Sequence, residues 1–396
     1  MKQFLQSIAV ITTAALAFSC HKSNVDQKDL RDFKQVNLVA NTAEYHPVTI
    51  DPTLINGFGI AWSPNGIAWV NSVGGHVSEL YTAEGAIARK PVNIPQPNDT
   101  IGGFPCGIVF NPTKGFNIPT GPSLFLFTSF DGVLSGWNGA AGNNAQRIKA
   151  PSKASYTGLA IAASGGHTFI YGANFGLKKI DTWDSNFNLI KMPFVDPTLP
   201  KDYSPYNIQA VGDWLFVIYA KLGDDGHGVA GAGNGYVSIF NTNGTFVRRF
   251  ASRGTLNIPW GVTMAPGSFL EDKDMDDEDN NGGVYSIASN HGSTITAGTP
   301  NSSSSSGNNG GNSYKHDPKD PVILVGNFGN GRINVFSQQG NYLGQLQSHK
   351  HTIEIDGLWA LSFAPATATT VDPARLYFSA GPDQEKDGLF GYLIKQ

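Results

Sequence analysis

Eight residues at comparable places in a repeated sequence pattern carry side chains that could bind a ligand. Most are aromatic or carry an amide, and each stands in or just before a short apolar segment. They are Asn56, Phe58, Tyr156, Tyr206, Asn207, Trp260, Asp356 and Trp359. Aromatic rings with a few polar groups suit a ligand that has an apolar face and hydroxyl groups, such as a sugar or a small lactone. The alternative is that the rings pack together and fill the centre of the fold.

A second candidate site lies in an acidic run at 271–279, which holds seven acids and one lysine. Asp277, Asp279 and Asn281 have the spacing of the first ligands of a calcium loop. The twelfth position, where such a loop needs a glutamate, is Ala288. The run therefore indicates either a calcium site or a solvated stretch of charge.

The elements that would position these residues are six copies of an apolar segment, most of them led by glycine and several ending in proline. The copies lie at 59–64, 107–112, 158–163, 207–212, 261–266 and 358–365. The first four start about 50 residues apart, which is the length of one propeller blade. High contents of glycine (47) and proline (23) also favour many short strands joined by tight turns.

Each copy continues into two further strand-like bursts with a glycine turn between them. The clearest copies place Asn or Ser, then Phe or Val, then Gly at this turn, as at 72–74 and 327–329. One such unit cannot bury both of its faces, whereas units stacked radially cover one another. The sequence therefore predicts an all-β fold, a six-bladed β-propeller that forms a single domain over 34–396.

The two ends of the predicted domain complement each other. The last copy lacks room for an outer fourth strand, and an unassigned strand-like segment at 36–40 precedes the first copy. We expect this segment to complete the last blade and so to remove an open sheet edge. An acidic and Ser/Gly/Asn-rich stretch at 267–320 interrupts the fifth copy, and its composition predicts a partly disordered surface insertion.

The first 20 residues have the pattern of a secretory signal, with Lys2 followed by an apolar run. The run ends at Cys20 in a sequence that resembles a bacterial lipobox, so we expect lipidation at Cys20 and a polar tether at 21–33. The alternative is an ordinary signal peptide cleaved near Ala17. Lipidation would leave Cys106 as a lone cysteine and exclude an intrachain disulfide. We therefore expect an exported monomer that is lipid-anchored to the bacterial cell envelope, at the outer membrane, with no other membrane contact.

The charge pattern indicates which classes of partner the protein could bind. The net charge is −4, and no basic stripe with interleaved aromatic residues is present, which argues against a nucleic-acid surface. An envelope protein or a glycan is the expected partner, and either no cofactor or calcium is expected.

The chain resembles an uncharacterised family of secreted bacterial six-bladed propellers, with NHL-repeat and gluconolactonase-like architecture. The segments that carry the resemblance are NLVANT (37–42), DPTLINGFGIAWSP (51–64), YNIQ (206–209), AGNGYVSIF (232–240), NIPWGVTMAP (257–266), LVGNFGNGRINVF (324–336) and DGLWALSFAP (356–365). They span nearly all of the chain that follows the tether. The resemblance implies the fold and leaves the function open.

Gluconolactonase-like propellers hold a catalytic divalent cation with acidic and amide side chains that converge on the channel. At comparable places this chain has Asn56, Asn207, Asn257 and Asp356. Asp356 alone is a carboxylate, and no glutamate precedes the first inner strand. Two functions follow as hypotheses: a binding or scaffold module that uses its loop face or channel mouth, and a lactonase-like hydrolase or isomerase acting on a small sugar-derived substrate.

Overall fold

The computed structural model describes residues 30–270 and 320–396, and within these ranges the chain forms 29 strands. The first two are β1 (Phe33–Ala40) and β2 (Thr49–Ile50). Blade 1 contains β3 (Gly57–Trp62), β4 (Ala68–Ser72), β5 (Val77–Tyr81) and β6 (Ile87–Asn93). Blade 2 contains β7 (Pro105–Phe110), β10 (Phe125–Ser129), β11 (Leu134–Trp137) and β12 (Gln146–Lys149), with a small hairpin of β8 (Asn117–Ile118) and β9 (Gly121–Pro122) inserted. Blade 3 contains β13 (Tyr156–Ser164), β14 (His167–Asn174), β15 (Lys179–Trp183) and β16 (Leu189–Ile190).

The second half repeats this plan. Blade 4 contains β17 (Tyr203–Val211), β18 (Trp214–Lys221), β19 (Gly235–Asn241) and β20 (Phe246–Ser252). Blade 5 contains β21 (Pro259–Ala265), β22 (Val322–Asn327), β23 (Ile333–Ser337) and β24 (Tyr342–Gln345), and a hairpin of β25 (Gln347–Ser348) and β26 (His351–Thr352) follows it. Blade 6 contains β27 (Leu358–Ser362), β28 (Leu376–Ala380) and β29 (Leu389–Lys395). Short helical turns lie at Ala43–Tyr45, Gly139–Ala141, Gly267–Leu270 and Pro382–Glu385, and no helix in the described ranges is long and apolar enough to cross a membrane.

The six sheets form a closed ring. The first strand of each blade contacts the first strand of the next, in the order β3, β7, β13, β17, β21 and β27, and β27 contacts β3 again. Six hydrophobic clusters lie between neighbouring blades and a seventh fills the centre of the described structure. The predicted six-bladed β-propeller is therefore confirmed.

The N-terminal strand closes the ring, as the sequence predicted. β1 pairs antiparallel with β29, from Phe33 opposite Lys395 to Ala40 opposite Leu389. It begins earlier than the segment at 36–40 that was predicted, so Phe33 belongs to the blade rather than to the tether. β2 then pairs parallel with β1, which gives blade 6 five strands.

The glycines of the repeated segments allow the inner strands to approach one another near the axis. A Cβ atom on Gly107 would lie 2.6 Å from the backbone nitrogen of Leu159, and one on Gly261 would lie 2.7 Å from the carbonyl oxygen of Trp359. Both neighbours belong to the next blade. A larger residue would force the inner strands apart, which explains why glycine recurs at this place in the repeat.

Two predictions from the sequence fall on residues outside the described ranges. The acidic run with Asp277, Asp279 and Asn281 is one, and the predicted signal peptide with its lipidation site at Cys20 is the other. Most of the insertion predicted at 267–320 lies there too. The structure does place that insertion between β21 and β22 of blade 5.

Candidate functional site

The mouth of the central channel lies where the inner strands begin and where the second and third strands of each blade turn. Five of these six turns place an apolar side chain in the central cluster: Val73, Phe130, Phe175, Leu222 and Phe328. The Phe or Val of the repeated turn pattern is therefore a core residue. The sequence showed the pattern without showing that these side chains meet at the axis.

Four of the predicted aromatic residues come together beneath this ring. Trp359 stacks between Phe58 and Phe328, with ring centroids 3.9 Å from each, and Trp260 meets Phe58 edge to face at 5.0 Å. Tyr206 lies 6.1 Å from Trp359. Phe58, Tyr206, Trp260 and Trp359 are at most 8% exposed, so these rings fill the centre of the propeller.

The two predicted asparagines hold this aromatic cluster in place. Asn56 Oδ1 accepts a hydrogen bond of 2.8 Å from Trp359 Nε1, and Asn56 Nδ2 donates one of 2.7 Å to Glu385. Asn207 Nδ2 donates to the carbonyl oxygen of Trp260 at 2.8 Å. Both amides are buried, and these bonds satisfy groups that would otherwise be costly to bury.

Glu385 is a mouth residue that sequence reasoning missed. It ends a turn in which Asp383, Gln384 and Glu385 all have positive φ angles of 51°, 57° and 67°. Left-handed backbone at non-glycine residues costs energy and concentrates at functional sites. Gly381 and Pro382 mark a turn here in the sequence, but they do not show that it brings Glu385 to the mouth.

The Glu385 carboxyl has an altered affinity for protons. Partial burial raises its pKa above the ordinary value, while the Asn56 hydrogen bond and the nearby His227 act in the opposite direction. His227 lies in the loop between β18 and β19, in the Gly226–Gly231 segment. The same carboxyl contributes, after burial, to raising the pKa of Tyr206. The Glu385 carboxyl thus lies above an aromatic floor at the mouth.

The residues that the family resemblance would assign to a divalent cation do not fit one. Asp356 is exposed and accepts a hydrogen bond of 3.0 Å from the backbone amide of Asp383. Asn257 Oδ1 accepts from Gly231 N at 2.8 Å, and Asn56 and Asn207 are engaged as described. Within 30–270 and 320–396, no group of three or more His, Cys, Asp or Glu side chains could hold a metal ion.

Tyr156 lies apart from the other predicted residues. A β-bulge falls between Tyr156 and Gly158, and the Tyr156 ring packs with Trp183 at 5.6 Å in the cluster between blades 2 and 3. Its hydroxyl donates to Asp181 at 2.9 Å. Burial and the neighbouring Asp181 carboxylate raise the pKa of Tyr156, so the phenol stays protonated.

Tyr156 lines a groove of about 680 Å³ beside blade 3. The walls are mainly apolar, and the floor contains a polar network around the buried Asp181 carboxylate. Asn174 Nδ2 and Lys179 Nζ each donate to this carboxylate at 2.8 Å, in addition to Tyr156. The lining residues are Lys149, Ala150, Pro151, Tyr156, Asn174, Leu177, Lys179, Asp181, Trp183, Phe187, Asn188 and Leu189.

Cys106 lies on the inner strand of blade 2 and is completely buried. Its sulfur lies 2.6 Å from the carbonyl oxygen of Tyr156 and 3.2 Å from that of Thr128, and its one hydrogen can donate to either. Burial raises the pKa of the thiol far above its ordinary value, so little thiolate is available for reaction.

No protein-family model matches the chain. Among solved structures, a streptogramin B lyase has a TM-score of 0.46 at 11% identity and covers 92% of this chain and 97% of its own. A gluconolactonase from Xanthomonas campestris has a TM-score of 0.46 at 12% identity and covers 86% of each chain. At this distance the likeness says nothing about activity.

Two sequence relatives come from Acanthamoeba polyphaga mimivirus, and both are uncharacterised proteins. L690 is 31% identical over 378 residues, which are 91% of this chain and 86% of L690. R648 is 30% identical over 382 residues, which are 91% of this chain and 80% of R648. Because these relatives are viral, they give no support to the expected bacterial family or to its export. The chain belongs to the same protein family as the mimivirus proteins L690 and R648.

Proposed function

We propose that this protein is a binding module that holds a small ligand of the carbohydrate type in the groove beside blade 3. The observation that carries the proposal is the combination of a volume of about 680 Å³ with apolar walls and a polar floor. Small-molecule sites have this size and this composition. A sugar offers an apolar ring face for the walls and hydroxyl groups for the few polar side chains.

Apolar side chains at the groove are accessible for such contacts. Leu177 is 41% exposed and Leu189 is 62% exposed, and both line the groove. Asn188 is also exposed. Asp181 accepts three hydrogen bonds and therefore orients the floor rather than offering a free acceptor.

The experiment is a glycan array followed by calorimetry with the best ligand. The double variant Leu177→Ser/Leu189→Ser should weaken binding at least about tenfold, since two exposed apolar contacts are removed. Leu124→Ser is the matched control, because Leu124 is 43% exposed and does not line the groove. Equal affinity of the double variant and the wild type would refute the groove as the site.

The channel mouth is the second location for the same function, and one variant separates the two. Glu385→Gln removes the carboxyl charge at the mouth and leaves the groove unchanged. If Glu385→Gln abolishes binding while the leucine variant retains it, the ligand sits at the mouth, as the sequence first predicted.

The lactonase-like alternative has a direct test. A hydrolase of that type needs a bound divalent cation at the channel, and Asp356 is the one carboxylate among the residues predicted to hold it. Stoichiometric calcium that disappears in Asp356→Ala, together with lactone hydrolysis, would favour the enzyme over the binding module.

We also propose, from the sequence alone, that the chain is exported and lipid-anchored to the cell envelope at Cys20. The support is the apolar run that ends at this cysteine and the polar tether at 21–33. Labelled fatty acid should be incorporated into the wild type expressed in bacteria and not into Cys20→Ser. Equal labelling of both would exclude this anchor.

A further inference from the structure

The sequence Asp-Pro-Thr-Leu occurs twice, at 51–54 before blade 1 and at 196–199 before blade 4. In both copies the aspartate accepts hydrogen bonds from the backbone amide and the hydroxyl of the threonine two residues later. For Asp51 these distances to Thr53 are 3.1 and 2.6 Å, and for Asp196 they are 2.9 and 2.9 Å to Thr198. The two aspartates are 6% and 9% exposed, so the copies form a matched pair of buried carboxylates.

The copy before blade 4 has a positive charge to balance its aspartate. Arg249 donates from Nε at 2.8 Å and from Nη2 at 2.6 Å to Asp196 Oδ2. Ser238, on the third strand of the blade, adds a hydrogen bond of 2.6 Å to the same oxygen. This carboxylate is therefore neutralised by a guanidinium and fully bonded.

The copy before blade 1 has a second acid instead. Glu79, on the third strand of blade 1, is 1% exposed, and its Oε1 lies 2.6 Å from Thr53 Oγ1. Tyr81 donates to Asp51 Oδ2 at 2.8 Å. Within the described ranges, no basic side chain forms an ion pair with Asp51 or Glu79. The two acids would carry two uncompensated negative charges in the interior if both were ionised.

The hydrogen count at Thr53 shows that an additional hydrogen is needed. Thr53 Oγ1 lies 2.6 Å from Asp51 Oδ1 and also 2.6 Å from Glu79 Oε1. A hydroxyl has one hydrogen and can donate to only one of these oxygens. The other contact must be made by a hydrogen on a carboxyl group, since two lone pairs at this distance repel each other.

We propose that Asp51, Thr53 and Glu79 form a buried proton-binding site, in which Glu79 carries the proton and donates to Thr53, which in turn donates to Asp51. The site is independent of the proposed ligand groove. The surroundings of Glu79 support this assignment. Burial raises the pKa of Glu79 to about 7, and the Asp51 charge adds to the rise. A hydrogen bond donated by Thr53 to Glu79 would lower this pKa, but in the proposed arrangement Thr53 donates to Asp51 instead.

The groups that face Glu79 from its neighbours are Asp51 and Tyr81, and neither supplies a positive charge. On β4 the residue opposite Glu79 is Val70. On β6 the register shift places Lys90 and Pro91 opposite Glu79, and Lys90 is exposed, while Arg89 is turned toward Asn143 and the Trp137 ring. Burial and the two acids raise the pKa of Tyr81, which therefore stays a hydrogen-bond donor.

The location couples the proton to closure of the ring. Asp51 N donates to Ala40 O of β1 at 2.9 Å, and Ile55 N donates to Ser72 Oγ of blade 1 at 2.8 Å. The segment 51–55 thus joins blade 6 to blade 1. Loss of the proton places two negative charges beneath this junction and should loosen it.

The sign of the pH effect follows from the two pKa values. The ordinary value for Glu79 is 4.5 and the folded value is about 7. The stabilisation is fully present below 4.5 and is lost as the pH rises through about 7, since the folded state binds more protons in between. The unfolding equilibrium constant should therefore rise on the order of fifty-fold between about pH 5 and pH 8.5 from this site.

The test is urea unfolding of the full chain across this pH range. Glu79→Gln keeps a donor to Thr53 and should remove most of the fifty-fold dependence, while Glu44→Gln, an exposed acid, should keep it. Infrared spectra of the wild type at pH 6 should contain the stretch of a protonated buried carboxyl that Glu79→Gln lacks. Parallel pH profiles of wild type and Glu79→Gln, or the absence of that stretch from the wild type, would overturn the proposal.

A bound metal ion is the competing source of positive charge. If sodium or calcium stabilised the wild type and not Glu79→Gln, with no protonated carboxyl in the infrared spectrum, the site would hold a cation and the proton assignment would be wrong. If Glu79→Gln failed to fold, the infrared result on the wild type would still decide the matter.

Discussion

Arg249 and Asp196 form an ion pair of 2.6 Å in which the Asp196 side chain is wholly buried and the Arg249 side chain is 17% exposed. The pair joins the loop before blade 4 to the outer strand of the same blade. Removing one partner of such a pair leaves a charge that water cannot reach. Breaking the pair is therefore strongly destabilising, whatever its net contribution while it is intact.

Replacing Arg249 with glutamine should lower the free energy of unfolding by about 3–5 kcal/mol, because Asp196 then lacks its cation. Urea unfolding at neutral pH measures the loss. Arg332→Gln is the control, since its pair with Glu354 is 40% and 57% exposed and should contribute less than about 1 kcal/mol. A loss no larger than that of the control would contradict the prediction.

The same aspartate should make the protein sensitive to acid. Burial opposes ionisation of Asp196, yet hydrogen bonds from Ser238, Thr198 and Arg249 prevail and lower its pKa below the ordinary 3.8. Ionised Asp196 therefore stabilises the fold above pH 3.8, and this stabilisation is lost as the pH falls through the pKa of Asp196 in the folded state. Urea unfolding should be measured from pH 6 to pH 2. The free energy of unfolding should fall less steeply with decreasing pH for Arg249→Gln than for the wild type. Identical slopes would argue against this account.

Ring closure by β1 can be tested at Phe33. This side chain is 0% exposed and packs against Phe269 with ring centroids 5.0 Å apart. Phe33→Ala should cost about 3–5 kcal/mol and lower the unfolding temperature of the whole domain in a single transition. Gln35→Ala, at an exposed position on the same strand, should leave the temperature nearly unchanged. Deletion of 33–42 with no thermal effect would show that β1 does not close the ring.

The central aromatic cluster can be tested at Trp359. Trp359→Phe keeps the stacked ring and removes the donor to Asn56 Oδ1, which leaves a buried amide oxygen without that partner. We expect a loss of about 1–3 kcal/mol in urea unfolding. A variant as stable as the wild type would mean that this hydrogen bond makes no net contribution to the free energy of unfolding.

The buried thiol makes a chemical prediction. In a Cys20→Ser background, Cys106 should not react with a thiol reagent while the protein is folded, because its sulfur is buried and protonated. The reaction should become complete in denaturant. Fast labelling under native conditions would show that the inner strand of blade 2 opens readily.

The parts of the fold that depend on repetition could be predicted, since six copies of one pattern have few ways to bury their faces. The site was harder. Phe58, Tyr206, Trp260 and Trp359 do meet, and each is an unpaired residue in the register shift of its inner strand. In blade 3 the unpaired residue is Thr157, so Tyr156 stands one position too early to reach the axis. A bulge leaves no mark in the periodicity.

Two features were missed for different reasons. The turn that carries Glu385 follows a visible Gly381-Pro382 signal, but Glu385 is bonded to Asn56, 329 residues away, so sequence patterns do not reveal its place at the mouth. The repeated Asp-Pro-Thr-Leu was visible, yet its meaning depends on which side chains the third and fourth strands bring to it. Ser238 with Arg249 and Glu79 with Tyr81 give opposite electrostatic outcomes around the same backbone.

The pairing of Phe33 with Lys395, continued by a hydrogen bond of 2.9 Å from Gln396 N to Asp32 O, sets how the domain would yield to mechanical load. The chain enters β1 and leaves β29 at the same end of this strand pair. A pull applied between these points would peel β1 from β29 one rung at a time, instead of shearing all rungs together. Tension on the chain that precedes Phe33 would thus act first on β1, the strand that closes the ring.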